Sequence, residues 1–131
     1  MTSVGAFLSA HGAEWTLMTG TRVEGRLLAS ADHHTPWGVV HGGVYCTAIE
    51  SAASIGASIA VRDRGQFAVG LDNLTDFVRA HRTGLLPIVA VPVHQGRTGQ
   101  LWTVEITRED GAVVATGRVR LQNVDLPPDS R

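Results

Sequence analysis

Apolar and polar residues alternate from Glu14 to Ser30, interrupted by Gly-Thr at 20–21, and this period of two predicts a strand or a hairpin. Ala31 to Gly38, which reads Ala-Asp-His-His-Thr-Pro-Trp-Gly, breaks the alternation and is a loop by composition. Thr35 precedes Pro36 and is therefore expected to be extended. From Gly42 to about Val61 the spacing becomes helical, with Val44, Ala48, Ile49, Ala52, Ala53, Ile55, Ile59 and Ala60 set among Ala, Ser and Gly. A helix that is small and apolar nearly all round is expected to be buried. After Arg62-Asp63-Arg64-Gly65 the alternation returns, predicting strands at 67–79, 86–95, 100–108 and 112–123. Arg-Thr-Gly at 82–84, Gly-Arg-Thr-Gly at 96–99 and Glu-Asp-Gly at 109–111 read as the turns between them. The first dozen residues are weakly patterned, with a short apolar turn around Val4 to Leu8, and the Pro-Pro-Asp-Ser-Arg tail is expected to fray.

A hairpin, one apolar helix and then a run of antiparallel strands is an α+β order. A single sheet wrapped around the helix satisfies it. A helix without a polar face needs cover on every side, so a dimer or higher homo-oligomer is expected, joined through the sheet edge or the helix face.

Composition narrows the chemistry. At 131 residues and 44% hydrophobic, residues 1–131 form one domain able to bury a sizeable core, and no repeat or linker divides it. The net charge of −1 gives no electrostatic case for a nucleic-acid or membrane partner. All 11 basic residues are arginine, which excludes lysine Schiff-base chemistry. The one cysteine, Cys46, forbids an intramolecular disulfide and reads as a small buried hydrophobe; no zinc-type spacing exists. Val44 to Val61 is broken by Glu50 and several serines, which argues against a membrane span, and no signal peptide is apparent. A soluble cytoplasmic protein without metal or cofactor is the expectation.

The informative segment runs from Thr35 through His41-Gly42-Gly43 to Glu50 and Ser54. Glycines where a helix begins let a ligand approach backbone N–H groups that have no partner within the helix. With the helix dipole, those groups suit a developing oxyanion, although two glycines also simply make a tight helix entry. Glu50 is the sole charged residue between His41 and Val61. A buried carboxylate is costly unless a partner or a function retains it, and an arginine partner or an escape to solvent is the plain alternative. Ser54, four residues on, shares its helical face and can hold the carboxylate or a water, or bond its own preceding turn. Gly42 and Glu50 are eight residues apart, about 12 Å along one helix. Both cannot touch one substrate carbonyl from the same copy. If both are catalytic, the Gly42 amide of one subunit must work with Glu50 of another, and a dimer becomes a requirement.

His-Gly-Gly with an acidic residue nine positions after the histidine resembles the hotdog-fold acyl-CoA thioesterases. The glutamate version is similar to the PaaI-like branch, with the glutamate-type 4-hydroxybenzoyl-CoA and the 1,4-dihydroxy-2-naphthoyl-CoA thioesterases. Val69-Gly70-Leu71-Asp72, Phe77-Val78-Arg79, Pro92-Val93-His94-Gln95-Gly96-Arg97 and Gln100-Leu101-Trp102 carry the resemblance over residues 14 to 123. It implies five or six antiparallel strands around one long central helix, in dimers and commonly tetramers. It also implies an acyl-CoA substrate. Glu50 would be nucleophile or general base, the Gly42 amide would polarise the thioester carbonyl, His41 would shape that turn, and Ser54 would assist. Gly70, the stretch Phe77, Val78, Arg79 and Ala80, and the turn His94, Gln95, Gly96, Arg97, Thr98 and Gly99 match segments lining the CoA and acyl sites. Arg79 and Arg97 suit phosphate. Two positions depart from the pattern. Thr35 stands where the family usually has Gln or Asn, and Phe77 where the naphthoyl-CoA enzymes resemble one another in having histidine.

Other candidates read as structural. His33 and His34 lack a third metal ligand at a suitable spacing and are expected to be exposed loop histidines, and His81 a surface residue. Asp72 and Asp76 suggest a second carboxylate pair with Glu50, or surface and subunit-contact roles. Trp102 is expected to pack in the sheet, and Trp37 to cap an acyl pocket or simply to pack. Two further functions compete with hydrolysis: a hotdog hydratase or dehydratase using His41 with Glu50, and a non-catalytic acyl-CoA-binding module, which Thr35 favours.

Overall fold

A computed structural model describes residues 5–128; Val4 and the last three residues of the tail lie outside that range. Six strands form one antiparallel sheet: β1 (Glu14–Met18), β2 (Val23–Ala29), β3 (Gln66–Phe77), β4 (Gly84–Gln95), β5 (Gly99–Thr107) and β6 (Val113–Asp125), in the order β1-β2-β4-β5-β6-β3. The long helix α2 (Gly42–Ala60) packs across it, the hotdog arrangement that the resemblance implies. Strand and helix positions follow the periodicity to within a few residues at each end.

The first dozen residues depart from expectation. Ala6–His11 form a short helix, α1, stopped by Gly12 in the left-handed region at φ 84°. Six residues carry less than two turns, too few for a period of 3.6 to register.

Small residues let helix and sheet approach. Tyr45, Ala48, Ile49, Ala52, Ala53, Gly56 and Ala57 form the buried face of α2. A Cβ on Gly56 would overlap the fully buried ring of Trp102, and one on Gly117 would come within 2.8 Å of Ile49. Trp102 packs as expected, and its Nε1 donates to Gln100 Oε1 at 2.9 Å. Gln100 in turn donates to the Ala57 carbonyl at 2.9 Å and to Asn123 Oδ1 at 2.8 Å, tying β5 and β6 to the helix. Every polar atom of such a buried network needs a partner, which fixes one register of strands and helix.

The chain alone does not supply the cover on every side that α2 was expected to need from a second copy. Cys46, Glu50, Ser54 and Ile59 are only half-buried, so α2 has an open face within one chain. Cys46 is accordingly not the enclosed hydrophobe its neighbours suggest. Among the described residues, no helix is long and apolar enough to cross a membrane.

Candidate active site

Glu50 leaves the middle of α2 toward β3, the edge strand alongside. Asn73 Nδ2 donates to Glu50 Oε1 at 3.2 Å and to the Cys46 carbonyl at 3.2 Å. Ser54 Oγ donates to Glu50 Oε2 at 3.4 Å, so the two residues meet across one helical turn. Thr75 Oγ1 donates to Asn73 Oδ1 at 2.6 Å. That bond occupies the acceptor end of the amide and turns its donor end to the carboxylate. A Cβ on Gly70 would overlap Glu50 Oε2, so glycine here lets the carboxylate keep its place against the strand. Among the described residues the ion pairs are Arg22–Glu24, Arg26–Glu14, Arg108–Asp110 and Arg120–Asp72, and Glu50 belongs to none. The carboxylate is thus held by neutral donors, which leave lone pairs for another group.

A bulge sets this arrangement. Gly70 faces Leu121 of β6, and Asp72 faces Arg120, which leaves Leu71 as an extra residue. Such an insertion reverses the alternation beyond it. Asn73 and Thr75 therefore turn toward α2, while Asp72 points away and bonds Arg120 at 2.8 Å. Asp76 is exposed as well, so neither aspartate forms a carboxylate pair with Glu50.

The start of α2 is the second element of the site. His41 is extended, and its Nδ1 accepts from the Gly43 N–H at 2.8 Å. The His41 N–H donates to the His33 carbonyl at 2.9 Å. No acceptor among the described residues reaches the Gly42 N–H, which stands at the positive end of the helix. The Phe77 ring lies against Gly42, where a Cβ would come within 2.6 Å of it, and 6.0 Å from the Tyr45 ring. Burial pushes the Tyr45 phenol pKa up. Since one helix holds both Gly42 and Glu50, the two remain about 12 Å apart within the chain.

Among the residues singled out by sequence, Ser54 and Gly70 meet Glu50, and Phe77 meets Gly42. Val78, Arg79 and Ala80 follow exposed, with Arg79 Nε donating to the Val113 carbonyl at 2.8 Å. His94 to Gly99 comprise the end of β4, the turn at 96–98 and the start of β5, at the other end of α2. Arg64, beyond that end, donates to the Gly96 carbonyl at 3.3 Å. Ala57, which Gln100 bonds, lies about 10 Å past Glu50 along the axis. This turn, with Gln95, Arg97 and Thr98, does not meet Glu50 of its own chain. Thr35 faces its own loop, where its Oγ1 accepts from the Trp37 N–H at 3.2 Å. Trp37 packs on nothing in the chain, being 81% exposed.

The histidines of the loops are structural. His33 Nε2 donates to the His11 carbonyl at 2.9 Å, while its Nδ1 accepts from the Ser30 N–H at 3.1 Å. His34 Nε2 donates to the Arg82 carbonyl at 2.6 Å. His81 is half-buried, and its Nε2 has no partner among the described residues, so it is not the surface residue expected.

Asn73 and Thr75 are the functional candidates that sequence reasoning missed; their one signal was two uncharged polar residues at alternate positions of β3, between Asp72 and Asp76. Phe7 and Leu8 were missed too. They rim a cleft of about 330 Å³ whose lining includes Glu50 and Asn73.

Comparisons with known proteins place the chain in a family. The thioesterase superfamily model matches residues 37–115. The Mycobacterium tuberculosis protein Rv1847 is 50% identical over 93 residues, covering 70% of this chain and 66% of that protein, so the matched segment spans just under two-thirds of its length. Its solved structure superposes with a TM-score of 0.90 at 41% identity, covering 95% of this chain and 100% of the other. AziG of S. sahachiroi superposes with a TM-score of 0.90 at 36% identity, over 95% and 100% of the two chains. The proofreading thioesterase EntH of Cronobacter turicensis is 31% identical over 118 residues, covering 90% of this chain and 85% of that protein.

Proposed function

Because this chain belongs to the thioesterase superfamily, we propose that it hydrolyses an acyl- or aroyl-CoA thioester to the free acid and CoA, with Glu50 as its catalytic carboxylate. The observation that carries the reading is the way Glu50 is held. It is the sole charged side chain of α2, fixed by Asn73 and Ser54 and approached by the Gly70 backbone, with no ion pair to a cation among the described residues. A carboxylate so held is oriented without being consumed by an ion pair.

Two routes use it. As a general base, Glu50 takes a proton from water while the water oxygen bonds to the carbonyl carbon. The C–S bond then breaks, and the proton passes to the departing CoA sulfur. As a nucleophile, Glu50 attacks the carbon itself and expels the CoA thiolate, leaving a mixed anhydride that water opens. Either route puts negative charge on the carbonyl oxygen, and the unpaired Gly42 N–H at the helix start is the donor for it. His41 keeps that donor aimed by capping the turn. Its Nδ1 accepts from the Gly43 N–H, which leaves Nε2 as the ring nitrogen that a hydratase reaction would have to use.

The 12 Å between Gly42 and Glu50 makes the site a joint product of two copies. β3 supports this: it is an edge strand, with Val69, Leu71 and Leu74 42%, 54% and 64% exposed. A long apolar edge invites a second strand. Antiparallel pairing of two β3 strands about the midpoint of Gly70 and Phe77 would set the partner subunit's Phe77, and with it the partner subunit's Gly42, opposite Gly70 and Glu50. Dimers of this kind could pair further into tetramers. The second subunit could also bring its His94–Gly99 turn, with Arg97, and its Arg79 toward the CoA arm. Acyl-CoA esters are cytoplasmic metabolites, and the chemistry requires no metal or cofactor.

The test is CoA thiol release from a panel of aryl- and fatty-acyl-CoAs by wild type and Glu50→Gln. A fall of about a hundredfold or more in kcat is expected for the variant. Equal rates for the two proteins would end the assignment.

A further inference from the structure

We propose that α1 is the acyl-selectivity element of this site, and that Leu8 sets the length of the acyl group accepted. The inference rests on Glu50 as the reaction centre and says where the acyl arm of the thioester goes.

Two clefts adjoin beneath α1, on the open face of α2. The first, about 330 Å³, contains Glu50 and Asn73 and is rimmed by Phe7 and Leu8. The second, about 280 Å³, lies between Leu8, Ala13 and Trp15 on one side and Ser54 and Ile55 on the other. Leu8 and Ser51 line both, so Leu8 over Ser51 is the partition. Ser54, which bonds the Glu50 carboxylate, opens on the far side of that partition.

A thioester carbonyl held at Glu50 has two arms to place. The CoA arm is long and carries phosphates, so it must run to solvent or to cations. No arginine lines either cleft. The acyl arm is apolar, and the second cleft offers Ala13, Trp15 and Ile55, which pack on the core. It is an apolar space that adjoins the Glu50 cleft across Leu8 and Ser51. The first cleft alone sits near the lower limit of about 300 Å³ for small-molecule pockets, room for an aryl ring or a short chain. Phe7 and Leu8 are 69% and 43% exposed, a poor disposition for two large apolar side chains unless a ligand covers them.

α1 is pinned at one end and overhangs at the other. His11 Nε2 donates to the Val44 carbonyl in the first turn of α2 at 2.9 Å, and the His11 carbonyl accepts from His33 Nε2 at 2.9 Å. Leu8 stands about one turn before this pin. Its side chain is positioned by the pin while remaining free of core packing, so changes there alter the clefts without dismantling the fold.

The experiment measures kcat/KM for butyryl-, hexanoyl-, decanoyl- and benzoyl-CoA with wild type, Leu8→Ala, Leu8→Val and Leu8→Trp. Leu8→Ala joins the two clefts and is expected to raise the decanoyl-to-butyryl ratio roughly tenfold or more, since a single methylene in an apolar pocket is worth about that much. Leu8→Val should give a smaller change in the same direction, and Leu8→Trp should lower the ratio. The same ratio in wild type and all three variants overturns the proposal. Glu50→Gln in the same panel separates the two readings. Full activity there sinks Glu50 as reaction centre, whereas an inactive Glu50→Gln beside unchanged Leu8 ratios sinks only the role of α1.

Discussion

Asn73 donates one hydrogen bond to Glu50 Oε1 and another to the Cys46 carbonyl, both at 3.2 Å, so the lone carboxylate of α2 is fixed from the neighbouring strand. Its own helix supplies only the longer 3.4 Å bond from Ser54. If orientation of the carboxylate is what Asn73 contributes, Asn73→Ala should lower kcat by roughly tenfold to a hundredfold, with KM little changed. Thermal stability should move little, because Asn73 is only half-buried. Asn73→Asp places a second carboxyl group against Glu50 and raises the pKa of the pair. The rising limb of its pH–rate profile should shift to higher pH. An unshifted profile with wild-type kcat in both variants would remove Asn73 from the site.

Separation of Gly42 from Glu50 on one helix has a direct consequence for mixed oligomers. Proline is well tolerated in the first helical turn and has no N–H, so Gly42→Pro deletes the donor while suiting the extended His41 before it. Gly42→Ala, which keeps the N–H but carries the Cβ that Phe77 must accommodate, is the control. Gly42→Pro and Glu50→Gln should each be inactive alone. Unfolded and refolded together in equal amounts, they should recover roughly a quarter of wild-type activity, from one intact site in half of the dimers. A site built within one chain would recover none.

Gly56 tests the core rather than the chemistry. Its missing Cβ is the space occupied by the Trp102 ring, which is fully buried and bonded to Gln100. Gly56→Ala should destabilise the fold by about 1–3 kcal/mol, more than the helix-propensity gain of alanine offsets. Urea unfolding measures this as a lower midpoint at unchanged slope.

His11 should make stability depend on pH. Burial lowers its pKa; the Val44 carbonyl opposes that shift and His33 adds to it. The native state therefore binds this proton less readily than the unfolded chain does. The contribution is complete above the ordinary histidine value of about 6.5 and is lost as pH falls below it. His11→Gln keeps a donor for the Val44 carbonyl and cannot titrate. The melting temperature should fall between pH 7.5 and 5 more steeply for wild type than for His11→Gln. Parallel curves would show that His11 is not a source of the dependence.

Much of the site was legible from the order of residues alone. The helical spacing from Gly42 to Val61, the alternation of the later strands, the isolation of Glu50 and the position of Ser54 all rest on contacts within one element. Its period is local geometry, so the chain order determines them. The distance from Gly42 to Glu50 follows from the same helix rise. What lies across from Glu50 does not. Plain alternation counted inward from Ala68 would turn Gly70 and Asp72 toward α2 and Asn73 away, the arrangement that a carboxylate pair with Glu50 would need. The extra residue Leu71 reverses that parity, so Asn73 and Thr75 face the carboxylate and Asp72 goes to Arg120. A bulge is decided by how β3 registers on β6, a pairing between residues roughly fifty positions apart, and no local pattern encodes it. α1 is of the same kind. Too short to announce itself by periodicity, it is held over Glu50 by the pin from His11 to Val44, a contact that only the folded chain brings together.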